Sequence, residues 1–332
     1  MELIQLAHGS GGRMMHQLIQ EYFVPAFGLK NLSDSAVIEN TLSGRMAITT
    51  DSYVVSPLFF PGGDIGRLSV CGTVNDLAVS GATPMYMTAG FIIEEGFPLD
   101  DLKRVLDSMK AASAEAGIKI VAGDTKVVDR GKADGIFINT AGFGVVEEGL
   151  DLSPVNIKPG DRVILSGSIG NHGVAVMAER NGISFDPPLL SDVGPLNRLV
   201  RRMAGMTKEI RMMRDPTRGG VATTLKEIAL QSGHCIVVQE SSIKVRPGVR
   251  GACELLGLDP LYIANEGILI AIVGPGAADM LAEEMRRTTE GAETVVIGEV
   301  AETPRETVLL KTNAGGIRIV DMLSGDQLPR IC

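Results

Sequence analysis

The sequence is most easily read from what it lacks. It has no C-x-x-C pair: Cys71, Cys235, Cys253 and Cys332 are scattered, which argues against a cysteine metal site and fits a reducing cytoplasm. No Lys/Arg cluster stands out and the formal net charge is -9, so neither nucleic acid nor an anionic membrane is the expected partner. Met1-Glu2-Leu3-Ile4 lacks the basic and apolar regions of a signal peptide. The longest uncharged run, Leu77 to Ile93, is broken by Gly81, Pro84 and Gly90, and helix followed by strand describes it better than a membrane span. There is no G-x-x-x-x-G-K-[ST], which excludes a P-loop NTPase. Cys332 is not followed by the residues that prenylation requires.

What is present describes an ordinary globular chain. Its 332 residues are 45% hydrophobic and 21% charged, enough for two domains with full cores. Residues 1–40 carry a Gly-rich segment and a helix, Arg13 to Tyr22. Residues 41–150 read as β-α-β-α-β-β. Their elements are a strand at 45–50 delivering Asp51 at its end, a helix over Asp64 to Ser80, a strand over Met85 to Ile93, an amphipathic helix over Asp100 to Ala116 stopped by Gly117, and strands at 118–122 and 136–146. This order suggests one sheet with helices on one face. The other face would need cover, most simply from a second subunit. Pro159-Gly160-Asp161 turns the chain into a second α/β unit over 155–320. Residues 321–332 show no core periodicity and form a mobile tail, able to extend about 40 Å.

Asp51, Asp76 and Asp124 each read singly as a cap or turn residue, but together they can converge on Mg²⁺, which prefers oxygen ligands. His8-Gly9-Ser10-Gly11-Gly12, opening a helix, would favour an anion at exposed backbone N–H groups. Gly167 to Gly173 and Arg218-Gly219-Gly220 are weaker anion loops. Lys126 and Glu266 are candidate proton-transfer groups, although a lysine at a nucleotide site also neutralises phosphate. His172 and His234 read as surface or loop histidines, and Glu94-Glu95 as a solvated strand end. Cys332 is a tethered thiol, its pKa raised by the neighbouring terminal carboxylate and lowered by Arg330.

In order, the Gly-rich start, Thr-Thr-Asp, Asn-Asp, Gly-Asp-Thr-Lys, Asp-x-Thr-x-Gly-Gly and Asn-Glu-Gly resemble the ATP-binding superfamily of aminoimidazole ribonucleotide synthetases, selenophosphate synthetases and thiamine-phosphate kinases. The closing Pro329-Arg330-Ile331-Cys332 is similar to the hallmark of its HypE branch, the hydrogenase maturation proteins. The resemblance implies a two-domain PurM-like α/β (α+β) fold in which two first domains close a barrel across a homodimer. It implies ATP and Mg²⁺, with Ser10, Gly11, Gly12, Asp51, Asn75, Asp76, Asp124, Thr125 and Asp215 binding the nucleotide and Asp51, Asp76 and Asp124 the metal. Catalysis would fall to Cys332, Lys126 and Glu266. The terminal cysteine would accept a carbamoyl group from the carbamoyltransferase HypF. ATP would drive its dehydration to a thiocyanate, and the HypC–HypD complex would receive the cyanide. The alternatives are a sister ATP-dependent synthetase, or a nucleotide-binding scaffold without chemistry. A selenophosphate synthetase would carry a reactive Cys or selenocysteine near residues 8 to 12, where none stands. The stretch from Ser184 to Asp192 carries no motif.

Overall fold

The structure, a computed structural model, describes residues 3–9, 13–29 and 44–323. Ser10, Gly11, Gly12 and Cys332 lie outside the described residues. The chain opens with helix α1 (Arg13–Leu18), which continues through a wider π turn (Ile19–Phe23) into α2 (Val24–Phe27). The expected helix is therefore longer than Arg13 to Tyr22. Phe23 and Phe91 meet edge to face at 5.0 Å and seat this helix on the first sheet.

The first unit contains β1 (Met46–Tyr53), the short pair β2 (Phe59–Phe60) and β3 (Gly63–Asp64), α3 (Ile65–Val79), β4 (Ala82–Glu94), α4 (Leu99–Ala116), β5 (Lys119–Val128) and β6 (Ile136–Val146). Asp64 caps α3, accepting the N–H groups of Gly66 at 2.7 Å and Arg67 at 3.1 Å. Helix α3 is buried nearly all round, as befits a helix between a sheet and other elements. Helix α4 is amphipathic, packs Leu102, Val105, Leu106 and Met109 inward, and ends at Gly117 with φ 73°.

The strands form one sheet in the order β1-β6-β4-β5, with only the β4–β5 pair parallel. Side chains alternate between its faces. Tyr53, Ile138, Phe91 and Thr125 are buried on the helix side. The opposite face carries Met46 (67% exposed), Ile48 (76%) and Ile92 (45%), together with half-buried Phe137 and Phe143.

The second unit contains β7 (Arg162–Leu165), α5 (Asn171–Arg180), α6 (Asn197–Met206), β8 (Ile210–Arg214), α7 (Gly220–Ser232), β9 (Cys235–Gln239), α8 (Pro247–Leu256), β10 (Ile270–Val273), α9 (Pro275–Met285), β11 (Val295–Ala301), β12 (Val308–Lys311) and β13 (Ile317–Val320). Its seven-stranded sheet runs β13-β12-β9-β11-β7-β10-β8. Leu199, Met203 and Leu281 of α6 and α9 pack on Ile164, Ile210 and Val273, and Val221, Leu225 and Ile228 of α7 pack on a second cluster with Val163, Ile236 and Val308. No helix among the described residues is long and apolar enough to cross a membrane.

The two units meet through Asn75 of α3. Its Oδ1 accepts the N–H of Leu196 at 2.7 Å, and its Nδ2 donates to the carbonyls of Gly194 at 3.1 Å and Glu266 at 3.2 Å. A buried amide that satisfies three backbone groups is a structural clamp.

Candidate active site

The seam beside this clamp opens into a cleft lined by Asp51, Ser52, Tyr53, Gly72, Asp76, Asp215, Thr217, Arg218 and Glu266. Four separate pieces of chain supply its carboxyls. Asp51 lies within β1 rather than at its end. It faces α3, and Tyr53, two residues on and on the same face, donates its hydroxyl to Asp51 Oδ2 at 3.2 Å. Asp76, near the end of α3, accepts from Thr49 Oγ1 at 2.7 Å. Asp215 follows β8, and Glu266 stands in the turn before β10.

Tyr53 is held from below. Its hydroxyl is 3.3 Å from Thr73 Oγ1, which meets Thr140 Oγ1, and Thr140 donates to the carbonyl of Ser69 at 3.1 Å. Gly72 makes room for this phenol, since a β-carbon there would run into its oxygen.

Burial, and the charges of neighbouring carboxylates, hold Asp76, Asp215 and Glu266 above the ordinary carboxylate range. Burial, and then the charge of Asp76, pushes Asp215 up to about 7. Burial, followed by the charges of Asp215, Asp192, Asp51 and Asp76, pushes Glu266 well above the usual carboxylate range. Burial also raises Asp76, against the opposing hydrogen bond from Thr49. Such mutual repulsion suits a site that receives positive charge. Among the described residues no three His, Cys, Asp or Glu side chains are already placed to hold one ion. The cleft offers carboxylate oxygens, the donor type that Mg²⁺ takes one or two at a time while completing its shell with water and substrate phosphates. Arg218 is the cation that lines the same cleft.

Three further expected residues lie away from this cleft. Asp124, Thr125 and Lys126 sit inside β5, where Thr125 is buried on the helix side while Asp124 and Lys126 point the other way and pair with each other at 3.0 Å. Asp124 stands opposite Gly90, Gly90 opposite Asn139, and Asn139 opposite Ser52. Three strand spacings, roughly 14 Å, thus separate Asp124 from Ser52. Asp124 and Lys126 consequently do not meet Asp51 and Asp76 within one chain. Gly9 lies against Val127, so the Gly-rich stretch begins beside β5.

The Gly167–Gly173 loop is not an open anion site. Gly170 N donates to Asn265 Oδ1 at 2.7 Å and Gly173 N to the carbonyl of Ala264 at 3.1 Å. His172 is fully buried rather than at the surface, with Nδ1 2.9 Å from Ser191 Oγ and its ring edge-on to Phe60. Glu94 is likewise not simply solvated, because it accepts the N–H groups of Gly131 and Gly135. Asp192, which no sequence motif marks, accepts the N–H groups of Glu266 at 3.1 Å and Gly267 at 3.0 Å with its Oδ2. Tyr53 is a further site residue, and its alternation with Thr49 and Asp51 along β1 is the sequence signal that marks it.

A helix-backed mixed sheet joined to an α/β unit across a carboxylate cleft defines the class. The chain has the two-domain architecture of the AIR synthase related proteins, whose N-terminal domain matches residues 32–146 and whose C-terminal domain matches 158–311. Carbamoyl dehydratase HypE of Cupriavidus necator is 53% identical over 332 residues, covering 99% of this chain and 95% of the relative. A solved structure of the hydrogenase maturation protein HypE in complex with ATP is 45% identical with a TM-score of 0.94, covering 99% of both chains. The HypE chain of a HypE–HypF complex is 47% identical with a TM-score of 0.82, covering 92% of this chain and 99% of that one. The chain belongs to the HypE family, the carbamoyl dehydratases of hydrogenase maturation.

Proposed function

We propose that the chain uses ATP to dehydrate a carbamoyl group carried on the sulfur of Cys332, giving a thiocyanate whose nitrile becomes a cyanide ligand of [NiFe]-hydrogenase iron. The convergence of Asp51, Asp76, Asp215 and Glu266 with Arg218 in one interdomain cleft carries the reading. ATP comes to it by way of the relative solved with that nucleotide.

The bonds set what the site must do. The carboxamide oxygen attacks the γ-phosphorus in line, the bond to ADP breaks, and nitrogen loses one proton, leaving an imidoyl phosphate. Loss of the second nitrogen proton expels phosphate and leaves S–C≡N. Glu266 is suited to accept a proton, because burial among carboxylates raises its basicity. Asp51 and Asp76 would hold Mg²⁺, which when bound would offset phosphate charge. Arg218 faces the same charge.

Lys126 would come from a second copy of the chain. The uncovered face of the first sheet presents Met46, Ile48 and Ile92 beside Asp124 and Lys126, and a homodimer closing a barrel there would bury the apolar group. In that arrangement each Asp124–Lys126 pair and the Gly-rich stretch that begins beside it would serve as a phosphate-binding edge. HypF would supply the carbamoyl group, the HypC–HypD complex would take the nitrile, and the free thiols of Cys71, Cys235 and Cys253 suit the cytoplasm.

Intact-mass measurement tests this reading. Incubation with the carbamoyl donor system should add about 43 Da, a carbamoyl gained and a hydrogen lost, and ATP should then remove about 18 Da. Both changes should vanish in C332A. A chain that gains the group without Cys332, or keeps it unchanged with ATP, refutes the proposal.

A further inference from the structure

The loop between α5 and α6 carries no recognisable motif, yet it ties the two walls of the cleft together. On the side of the first unit, Ser191 N donates to the carbonyl of Pro61 at 2.8 Å. Arg67 Nε donates to the carbonyl of Val193 at 3.0 Å, and Asn75 takes Gly194 and Leu196. On the side of the second unit, the Asp192 carboxyl accepts the peptide N–H groups of Glu266 and Gly267. The N–H of His172, in the first turn of α5, faces it as well. Gly267 is closed against this strap, because a β-carbon there would run into the carbonyl oxygen of Asp192. Peptide dipoles and a helix N-terminus, rather than a cation, thus surround this acid.

We propose that Asp192 is a positioning residue for Glu266: it fixes the Asn265-Glu266-Gly267 turn relative to the first unit, so that the Glu266 side chain stands in the cleft opposite Asp51 and Asp76. This rests on the base role assigned to Glu266 above. The geometry favours positioning over direct chemistry, since Asp192 grips the backbone of Glu266 and does not line the cleft. One element of the second unit thereby takes its placement from contacts made in the first.

The test uses the full chain carbamoylated on Cys332, with turnover followed by the loss of about 18 Da on ATP addition. D192A should lower kcat about 10- to 100-fold, the scale of a small misplacement of a reacting group, while KM for ATP stays within about twofold. D192N keeps an oxygen acceptor for the same two N–H groups and should recover kcat to within about threefold of the unmodified chain. Should D192A fail to fold, D192S, which offers one hydroxyl acceptor, should give an intermediate kcat. Wild-type turnover in D192A or D192S, an equal loss in D192N, or a loss carried in KM overturns the inference. E266Q run alongside separates the two readings: turnover surviving in E266Q removes the base role itself, whereas an inactive E266Q beside a fully active D192A removes only the positioning role.

Discussion

Replacing Asp215 by asparagine takes one negative charge out of a cleft that gathers four acids. Burial and the neighbouring Asp76 raise the Asp215 pKa from 3.8 to about 7. In the unfolded chain the group titrates near 3.8, so between the two values the folded state binds more protons. Stability from this residue is therefore fully present below pH 4, falls as pH rises toward 7, and is level above it. At about 1.4 kcal/mol per pKa unit, the ceiling on the loss is about 4 kcal/mol, and water in the cleft lowers the realised value to roughly 1–3 kcal/mol. D215N should accordingly be more stable than the parent in urea titrations at pH 8, with the gain shrinking to nothing near pH 4. Saturating Mg²⁺-ATP should reverse the order, because bound cation and nucleotide stabilise the parent by mass action. A D215N effect of the same size at pH 4 and pH 8 would refute the electrostatic account of the cleft.

Two further outcomes follow from contacts in other parts of the molecule. N75A strands the N–H of Leu196 and two carbonyls in the domain seam and should cost roughly 3 kcal/mol in urea unfolding; a change under about 1 kcal/mol would show that water replaces the amide. I48D places a charge on the exposed apolar face of the first sheet, where the homodimer is proposed to close, and should leave the chain's thermal stability within a few degrees while abolishing self-association through that face in sedimentation velocity. An unaltered dimer would place the contact on another surface.

Much of the fold is legible in the sequence because its periodicities are strong. The inward stripe of α4 ends at Gly117, and Ile136 to Val146 alternates as a strand. The carboxylate cluster is harder to see, since its members lie as far apart along the chain as Asp51 and Glu266 and meet only when β1, α3, β8 and the turn before β10 pack together. The Gly-Asp-Thr-Lys motif looks like a loop, yet β-pairing with β4 continues through it, and that alternation sends Thr125 one way and Asp124 and Lys126 the other. Asn75 sits in a nucleotide-like motif but serves the backbone, because a buried amide at a domain seam is demanded by the carbonyls it meets. Asp192 leaves no trace in the sequence: its partners are peptide N–H groups, which every residue but proline has.

The outward set of Asp124 and Lys126 has a genetic consequence. If each reaction centre draws its acids from one copy and its lysine edge from another, two defective alleles can rescue each other. A chain lacking Lys126 and a chain lacking Glu266, each inert alone, would when co-expressed assemble mixed pairs in which one centre inherits both defects and the other inherits neither.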